Sequence, residues 1–217
     1  MNIFIQAESR KFNKIRIMQT EIRLMQQKDV DVVATSLANA FMSDPLQTYT
    51  FPDEEERRKK SPAHFKAILE FGLMFGEVYT SDNAEGGVVW LGPNETDITT
   101  EKADQGGLTK LPELLGEDAA NRFFSVLEFI DPHHKQDVPE PHWYIMVIGV
   151  DPAHQGKGLA KSLLQPVMQK ATANGNSIYL ETAQPLNVPF YQRLGFKILK
   201  EIEEPVSGLK VWTFKKS

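Results

Sequence analysis

The order of apolar and polar positions predicts most of the secondary structure. In residues 21–25, Ile22 and Leu24 alternate with Glu21, Arg23 and Met25, which suits a strand. Residues 30–42 carry Val30, Val33, Leu37, Ala38 and Phe41 at helical spacing, with Asp29 as the expected N-cap and Asp44-Pro45 as the stop. Residues 53–60 run acidic and then basic, and such charges pair on a solvated helix face. Ser61-Pro62 reads as the start of a further helix, with Phe65, Ile68, Leu69, Leu73 and Met74 apolar. Residues 77–80 and 87–91 read as two strands around the turn Ser81-Asp82-Asn83. Residues 94–115 are rich in turn formers and yield no element. Residues 118–130 read as helix and 131–141 as loop.

The second half is clearer. Residues 142–150 are apolar on both faces, as a central strand requires. A Gly-rich turn leads into a helix over 158–174, with Leu159, Leu163, Leu164, Val167, Met168 and Ala171 as its stripe and Gly175 as its stop. A strand over 177–183, a short helix over 188–194 and strands over 196–201 and 209–215 complete the chain. The strand–turn–helix–strand run forms a right-handed β-α-β unit. The predicted order is β-α-α-β-β-(α)-β-α-β-α-β-β, an α/β (α+β) chain.

Composition narrows the class. The 217 residues are 41% hydrophobic and 24% charged, as in a soluble globular protein of one domain. No run is long and apolar enough to cross a bilayer, so the expectation is a cytoplasmic protein with no membrane partner. A net charge of −5 disfavours nucleic acid as a partner. The absence of cysteine removes disulfides, thiolate metal sites and cysteine nucleophiles. Residues 1–20, with Arg10, Lys11, Lys14 and Arg16 among scattered apolar residues, read as an N-terminal extension, either an amphipathic arm or an overlong start. Residues 21–217 read as one domain.

The turn Asp151-Pro152-Ala153-His154-Gln155-Gly156-Lys157-Gly158-Leu159-Ala160 carries the chemistry. Free amides at a helix start, with glycines that let a ligand approach, suit a pyrophosphate, and Lys157 and Lys161 add charge. A P-loop fails because Leu159 follows Gly158, and a dinucleotide fingerprint fails because Lys161 stands where its third glycine belongs. Gln155, Gly158 and Ala160 match [QR]-x-x-G-x-[GA]. Asn187, Tyr191, Gly195 and Phe196 stand in the pattern N-x-x-x-Y-x-x-x-G-F downstream.

This pair of motifs resembles the GNAT superfamily of N-acyltransferases. The motif layout, with His142-Trp143-Tyr144, Leu164-Gln165-Pro166 and Leu180-Glu181-Thr182, is similar to puromycin N-acetyltransferase-like members. Pro166 inside the helix after the loop is shared with those members and reads as a kink. The resemblance covers residues 21–217, weakly in the middle.

It implies a GNAT fold: a mixed central sheet with a splayed strand pair, flanked by helices on both faces. It implies acetyl-CoA as co-substrate, no metal, and a small-molecule amine as acceptor. Ile148, Gly149 and Val150 would contact the cofactor through the edge of their strand, a backbone N–H near Ile148 serving as oxyanion donor. Gln155, Gly156, Lys157, Gly158, Leu159, Ala160 and Lys161 would hold the pyrophosphate. Tyr191 would protonate the departing thiolate. Asn187 would contact pantetheine or mark the helix start. Glu181 would act as base, bind the substrate cation or make a structural hydrogen bond. His142 reads as a surface histidine, and His133-His134, in a loop with Asp131 and Asp137, are weak metal candidates. Phe41, Trp143, Tyr144 and the aromatics of residues 65–75 line an acceptor pocket or pack in the core. A peptide acceptor and a non-catalytic CoA-binding module are the competing functions. Dimers are common in the family, and the sequence leaves the oligomeric state open.

Overall fold

The computed structural model describes residues 20–217; the expected N-terminal extension lies outside the described residues except for Thr20. Seven strands form one mixed sheet: β1 (Ile22–Leu24), β2 (Gly76–Ser81), β3 (Gly86–Leu91), β4 (His142–Val150), β5 (Ser177–Thr182), β6 (Lys197–Glu203) and β7 (Lys210–Lys216). Their order across the sheet is β1-β2-β3-β4-β5-β7-β6, and β4–β5 is the parallel pair. The helices are α1 (Val30–Ala40), α2 (Pro45–Thr50), α3 (Glu54–Phe75), α4 (Thr100–Gln105), α5 (Leu111–Leu115), α6 (Glu117–Asp137), α7 (Leu159–Asn174) and α8 (Val188–Arg193).

The period of two on β3 builds both faces of the core. Val88 and Trp90 pack with Leu163, Leu164 and Val167 of α7. Val89 packs on the other face with Val33 and Leu37 of α1 and Leu69 of α3. A third cluster joins Phe51, Phe71, Leu111 and Leu115 beneath α6.

Two relationships around β4 create the site. Opposite β3 the register slips, so that Val89 faces Val147 while Trp90 faces Ile145, leaving Met146 as a bulge. A bulge bends its strand and adds twist. On the other side, β4 pairs with β5 only through His142, Trp143 and Tyr144 opposite Ser177, Ile178 and Tyr179. Beyond that point β4 runs on against β3, and β5 runs on against β7 as far as Thr182 opposite Trp212. The two parallel strands therefore part, and the backbone of β4 from Ile145 onward faces a wedge.

Several elements differ from expectation. Asp29 does not cap α1; its carboxylate takes two bonds from Arg23, at 2.6 and 3.1 Å, and one from the Gln26 amide at 2.9 Å. Asp44-Pro45 begins α2 instead of only ending α1. Ser61-Pro62 starts nothing, because α3 runs through Pro62. Its charged first turns do pair, Arg58 with Glu54 and Lys60 with Glu56. Residues 94–115 hold α4 and α5. The stretch read as loop from 131 is helical as far as Asp137, so His133 and His134 lie on α6.

Candidate functional site

The loop between β4 and α7 is held from both ends. Asp151 accepts from the Ala153 amide at 2.9 Å, and Gln155 Nε2 donates to the Val150 carbonyl at 2.9 Å. Gly156 and Gly158 adopt left-handed φ of 76° and 82°, which favours glycine. A Cβ at either would meet nothing within 4 Å, so a ligand has open access to the backbone. The first backbone bond of α7 is donated by the Ser162 amide to Gly158, so the amides before it point outward unpaired. These residues fit a pyrophosphate. Lys157 and Lys161 are exposed beside it. The Leu159 side chain is buried in the core, as its place in the apolar stripe of α7 predicts, which leaves its amide to face the loop.

Two cavities occupy the wedge. The outer one, about 370 Å³, is lined by Ile148, Gly149, Val150, Gln155, Ala160 and Asn187 among others. The inner one, about 140 Å³, includes Tyr144, Met146 and Glu181. Phe41, Asp44, Ile148, Asn187 and Tyr191 line both, so the cavities meet there. Gly149 has a further reason to lack a side chain: a Cβ would lie 2.9 Å from Leu37 and 3.0 Å from Ala40 and Phe41 on the last turn of α1.

Tyr191 is buried in α8, edge-on to Phe190 and Phe196. Burial, with the Asp44 charge nearby, pushes its hydroxyl well above the usual tyrosine range, so it stays protonated. Asn187 does not cap α8; its amide reaches Thr182 Oγ1 at 3.4 Å, on the cavity wall. Asp44, which sequence reasoning treated only as a helix stop, accepts from the Leu46 and Gln47 amides at 3.0 and 3.2 Å. Burial lifts its carboxyl to about 6 against those bonds. The Asp-Pro pair is itself the signal that could have placed it, as an N-cap followed by proline in the first turn.

Glu181 stands near the end of β5 with its side chain 8% exposed. Burial pushes its carboxyl up to about 8, and the Tyr144 and Tyr179 hydroxyls, which favour the carboxylate, offset only part of that. Its Oε1 and the Tyr179 hydroxyl are buried without a hydrogen-bond partner. His134 Nδ1 lies 3.6 Å from Oε1. His134 stacks on Tyr179 at 4.2 Å and joins His142 through their Nε2 atoms at 2.8 Å. His142 is thus buried, not at the surface: the partner that covers it comes from α6, which the sequence did not extend that far. Among the described residues no group of three His, Asp or Glu side chains is placed to hold a metal. No described helix is long and apolar enough to cross a membrane.

Of the expected pocket aromatics, Phe41 and Tyr144 line the inner cavity. Trp143 instead packs edge-on to Trp90 in the core, and Phe65 packs against Phe41 and His64. Sequence reasoning missed Leu46, Val126, Leu127 and Ile130, which complete the inner wall from α2 and α6.

Comparison with known proteins agrees with this geometry. Residues 101–196 match the model of a family described as the acetyltransferase (GNAT) family, whose members use acetyl-CoA as co-substrate. A Schizosaccharomyces pombe protein described as an uncharacterized N-acetyltransferase is 29% identical over 175 residues, 78% of this chain and 71% of its own. A Corynebacterium glutamicum structure described as histone acetyltransferase HPA2 and related acetyltransferase superposes with a TM-score of 0.67 at 22% identity, covering 92% of this chain and 96% of that one. An agmatine N-acetyltransferase superposes with a TM-score of 0.60 at 17% identity, covering 90% and 98%. At such identities the two structures speak for the fold alone. With the family model, the N-acetyltransferase relative and the splayed seven-stranded sheet in agreement, the chain is an acetyltransferase of the GNAT type on the GNAT fold.

Proposed function

We propose that this acetyltransferase moves the acetyl group of acetyl-CoA to a primary amine of a small molecule by direct attack. One observation carries the reading: the outer cavity, which continues from the glycine loop, meets the inner cavity at Ile148 and Tyr191. The glycine loop and the edge of β4 from Ile148 to Val150 would hold the diphosphate and the pantetheine arm, with Asn187 beside it. The thioester would then lie at the junction and the amine in the inner cavity against Glu181.

The chemistry has three needs, and each has a residue. The attacking nitrogen must lose a proton, and Glu181 is the base facing it. The oxyanion needs a donor, supplied by the backbone of β4 near Ile148. The carbon–sulfur bond then breaks, the departing thiolate takes the Tyr191 proton, and the second proton still carried by the acylated nitrogen restores the Tyr191 hydroxyl. The raised pKa makes Tyr191 a weaker acid but keeps its hydroxyl protonated, so a donor is present where the thiolate forms.

The small volume of the inner cavity and its apolar lining favour a compact amine over a peptide chain. The motif layout shared with puromycin N-acetyltransferase-like members points the same way, toward a xenobiotic or antibiotic-like amine. An agmatine N-acetyltransferase shares the fold, as does a structure described as histone acetyltransferase HPA2 and related acetyltransferase, so both acceptor types belong in the test.

That test is thiol release from acetyl-CoA with agmatine, spermidine, tyramine, puromycin and a lysine-containing histone-tail peptide. The chain has no cysteine, so every thiol detected comes from CoA. Turnover with a small amine, lost by about 10²-fold or more in Tyr191→Phe with acetyl-CoA affinity kept, supports the reading. Turnover of the peptide alone would reject the small-molecule acceptor, and full activity in Tyr191→Phe would reject the acid.

A further inference from the structure

Glu181 raises a problem that the reaction itself does not solve. It is buried, the acceptor covers it during turnover, and it must discard a proton each cycle. A second, separate cavity of about 390 Å³ lies at the start of β4 and shares no lining residue with the inner one. His134 and His142 line it.

The hydrogen bonds between the two cavities fix their own polarity. The Glu140 carbonyl can only accept, so His142 Nδ1, 2.7 Å away, carries a proton and donates it. Burial holds both rings neutral by lowering their pKa, so His142 Nε2 is an acceptor. His134 Nε2 must then donate to it across 2.8 Å. The remaining nitrogen, His134 Nδ1, is left with a lone pair and lies 3.6 Å from Glu181 Oε1, which has no hydrogen-bond partner, so a small approach of the two closes the bond.

We propose that His134 and His142 are the outlet through which Glu181 sheds the proton taken from the acceptor amine, a path from the inner cavity to the separate cavity at the start of β4. The proposal rests on Glu181 being the base. One proton passes from Glu181 to His134 Nδ1, one from His134 Nε2 to His142 Nε2, and one leaves His142 Nδ1 for water in the separate cavity. Ring turns restore the starting tautomers. Net, one proton enters and one leaves, with no other reactant.

The surroundings suit passage and disfavour trapping. Glu181 is faced by Tyr144, Tyr179 and Asp137. His134 is faced by His142, Asp131, Asp137 and Lys135, and His142 by Glu140 and Lys215. Asp137 is itself tied to Lys200 at 2.6 Å and to Thr213 at 2.9 Å. Burial raises the Glu181 carboxyl and lowers the His134 ring, so the proton rests on Glu181 and only passes through His134.

The experiment compares Glu181→Gln, His134→Gln and His142→Ala, using acetyl-CoA and whichever amine of the panel turns over fastest. Thermal melts and acetyl-CoA binding first establish that each variant folds. In His134→Gln the side-chain amide keeps a donor toward His142 but cannot take up and pass on a proton. Its kcat is expected to fall about 10- to 100-fold, with both KM values little changed and a larger solvent deuterium isotope effect. Free imidazole, entering the separate cavity, should restore part of the rate of His142→Ala in proportion to its concentration. Wild-type kcat and isotope effect in His134→Gln, with Glu181→Gln inactive, would overturn the outlet and leave the base standing. An active Glu181→Gln would remove both. Should His134→Gln fail to fold, a flat imidazole response in His142→Ala overturns the outlet by itself.

Discussion

Asn39 Nδ2 donates to Asp151 Oδ2 at 2.7 Å, a bond between residues 112 apart in sequence. It ties the last turn of α1 to the loop after β4. Asp151 uses its other oxygen for the Ala153 amide, so the carboxylate joins the two halves of the chain at the entrance of the candidate pyrophosphate loop. The Asn39 bond is also what chiefly holds the Asp151 carboxyl below the usual range.

Loss of that tie is expected to show in cofactor binding before it shows in stability. Asn39→Ala removes an exposed bond, worth about 1 kcal/mol or less to the fold. The loop it orients should bind acetyl-CoA about 5- to 10-fold more weakly, because binding must now supply the ordering. Calorimetric titration beside a thermal melt checks both. An unchanged Kd would show that the loop is ordered without Asn39.

Two glycines of the site should respond to alanine in opposite ways. Gly158 has a left-handed φ and open space around a Cβ. Gly158→Ala should cost about 1–2 kcal/mol of stability from the backbone alone, while acetyl-CoA affinity falls more steeply because the methyl stands in the ligand's approach. At Gly149 the new Cβ meets α1 at 2.9–3.0 Å, so Gly149→Ala should lower Tm without needing any ligand to reveal it. Melting curves with and without acetyl-CoA separate the two cases.

How much of this was legible depended on how proline was read. Strand β4, the glycine turn and α7 were clear because a strand apolar on both faces, a two-glycine turn and a helical stripe each carry an unambiguous local signal. Pro62 was read as a helix start and 131–141 as loop, yet α3 runs through Pro62 and α6 through Pro132 to Asp137. Packing of Leu69 and Phe71 on α3, and of Val126 on α6, outweighs the ~3 kcal/mol that an internal proline costs. The helix over 158–174 was carried through Pro166 only because the resemblance supplied a precedent, and α7 does run through it. The early end given to the helix had the larger consequence, since stopping it at 130 put His134 in a loop and left His142 without its partner. The candidate cofactor residues were legible because they follow one another along the chain. The Glu181–His134–His142 contacts were not, because they join three separate elements.

Glu181 links activity and stability to pH with opposite signs. Its folded pKa of about 8 stands above the ordinary 4.5 of an exposed glutamate. A raised carboxyl stabilises fully below about 4.5 and loses that contribution as pH rises through about 8. The working form for accepting the amine proton is the carboxylate, so kcat/KM should climb with pH to about 8 while the melting temperature declines over the same span. Glu181→Gln should abolish the Glu181-dependent rise in rate and gain about 3 kcal/mol at pH 7. A variant that is less stable than wild type at pH 7 would show that the carboxylate is better solvated than its burial implies.

His64 works in the other direction and at lower pH. It lies on α3, 1% exposed, with neither ring nitrogen hydrogen-bonded. Its ring stacks on Phe65 at 5.4 Å and meets Phe123 edge-on at 4.5 Å. Burial alone lowers its pKa from the ordinary 6.5 to about 4. The folded value is depressed, so the stability this neutral ring permits is present above 6.5 and is lost as pH falls through about 4. The loss amounts to about 3 kcal/mol when complete. His134, also lowered to about 4, adds to the same acid-side slope and is unaffected by a change at residue 64. His64→Leu removes two unsatisfied polar atoms from an aromatic cluster at the cost of some stacking. The fall in Tm between pH 7.5 and pH 4.5 should therefore be smaller in the variant than in the wild type, while Glu181, far from the substitution in sequence and in a different cluster, contributes equally to both. Parallel Tm curves for the two proteins over that range would mean that the ring finds a hydrogen-bonded water when charged, and that its burial carries no acid penalty.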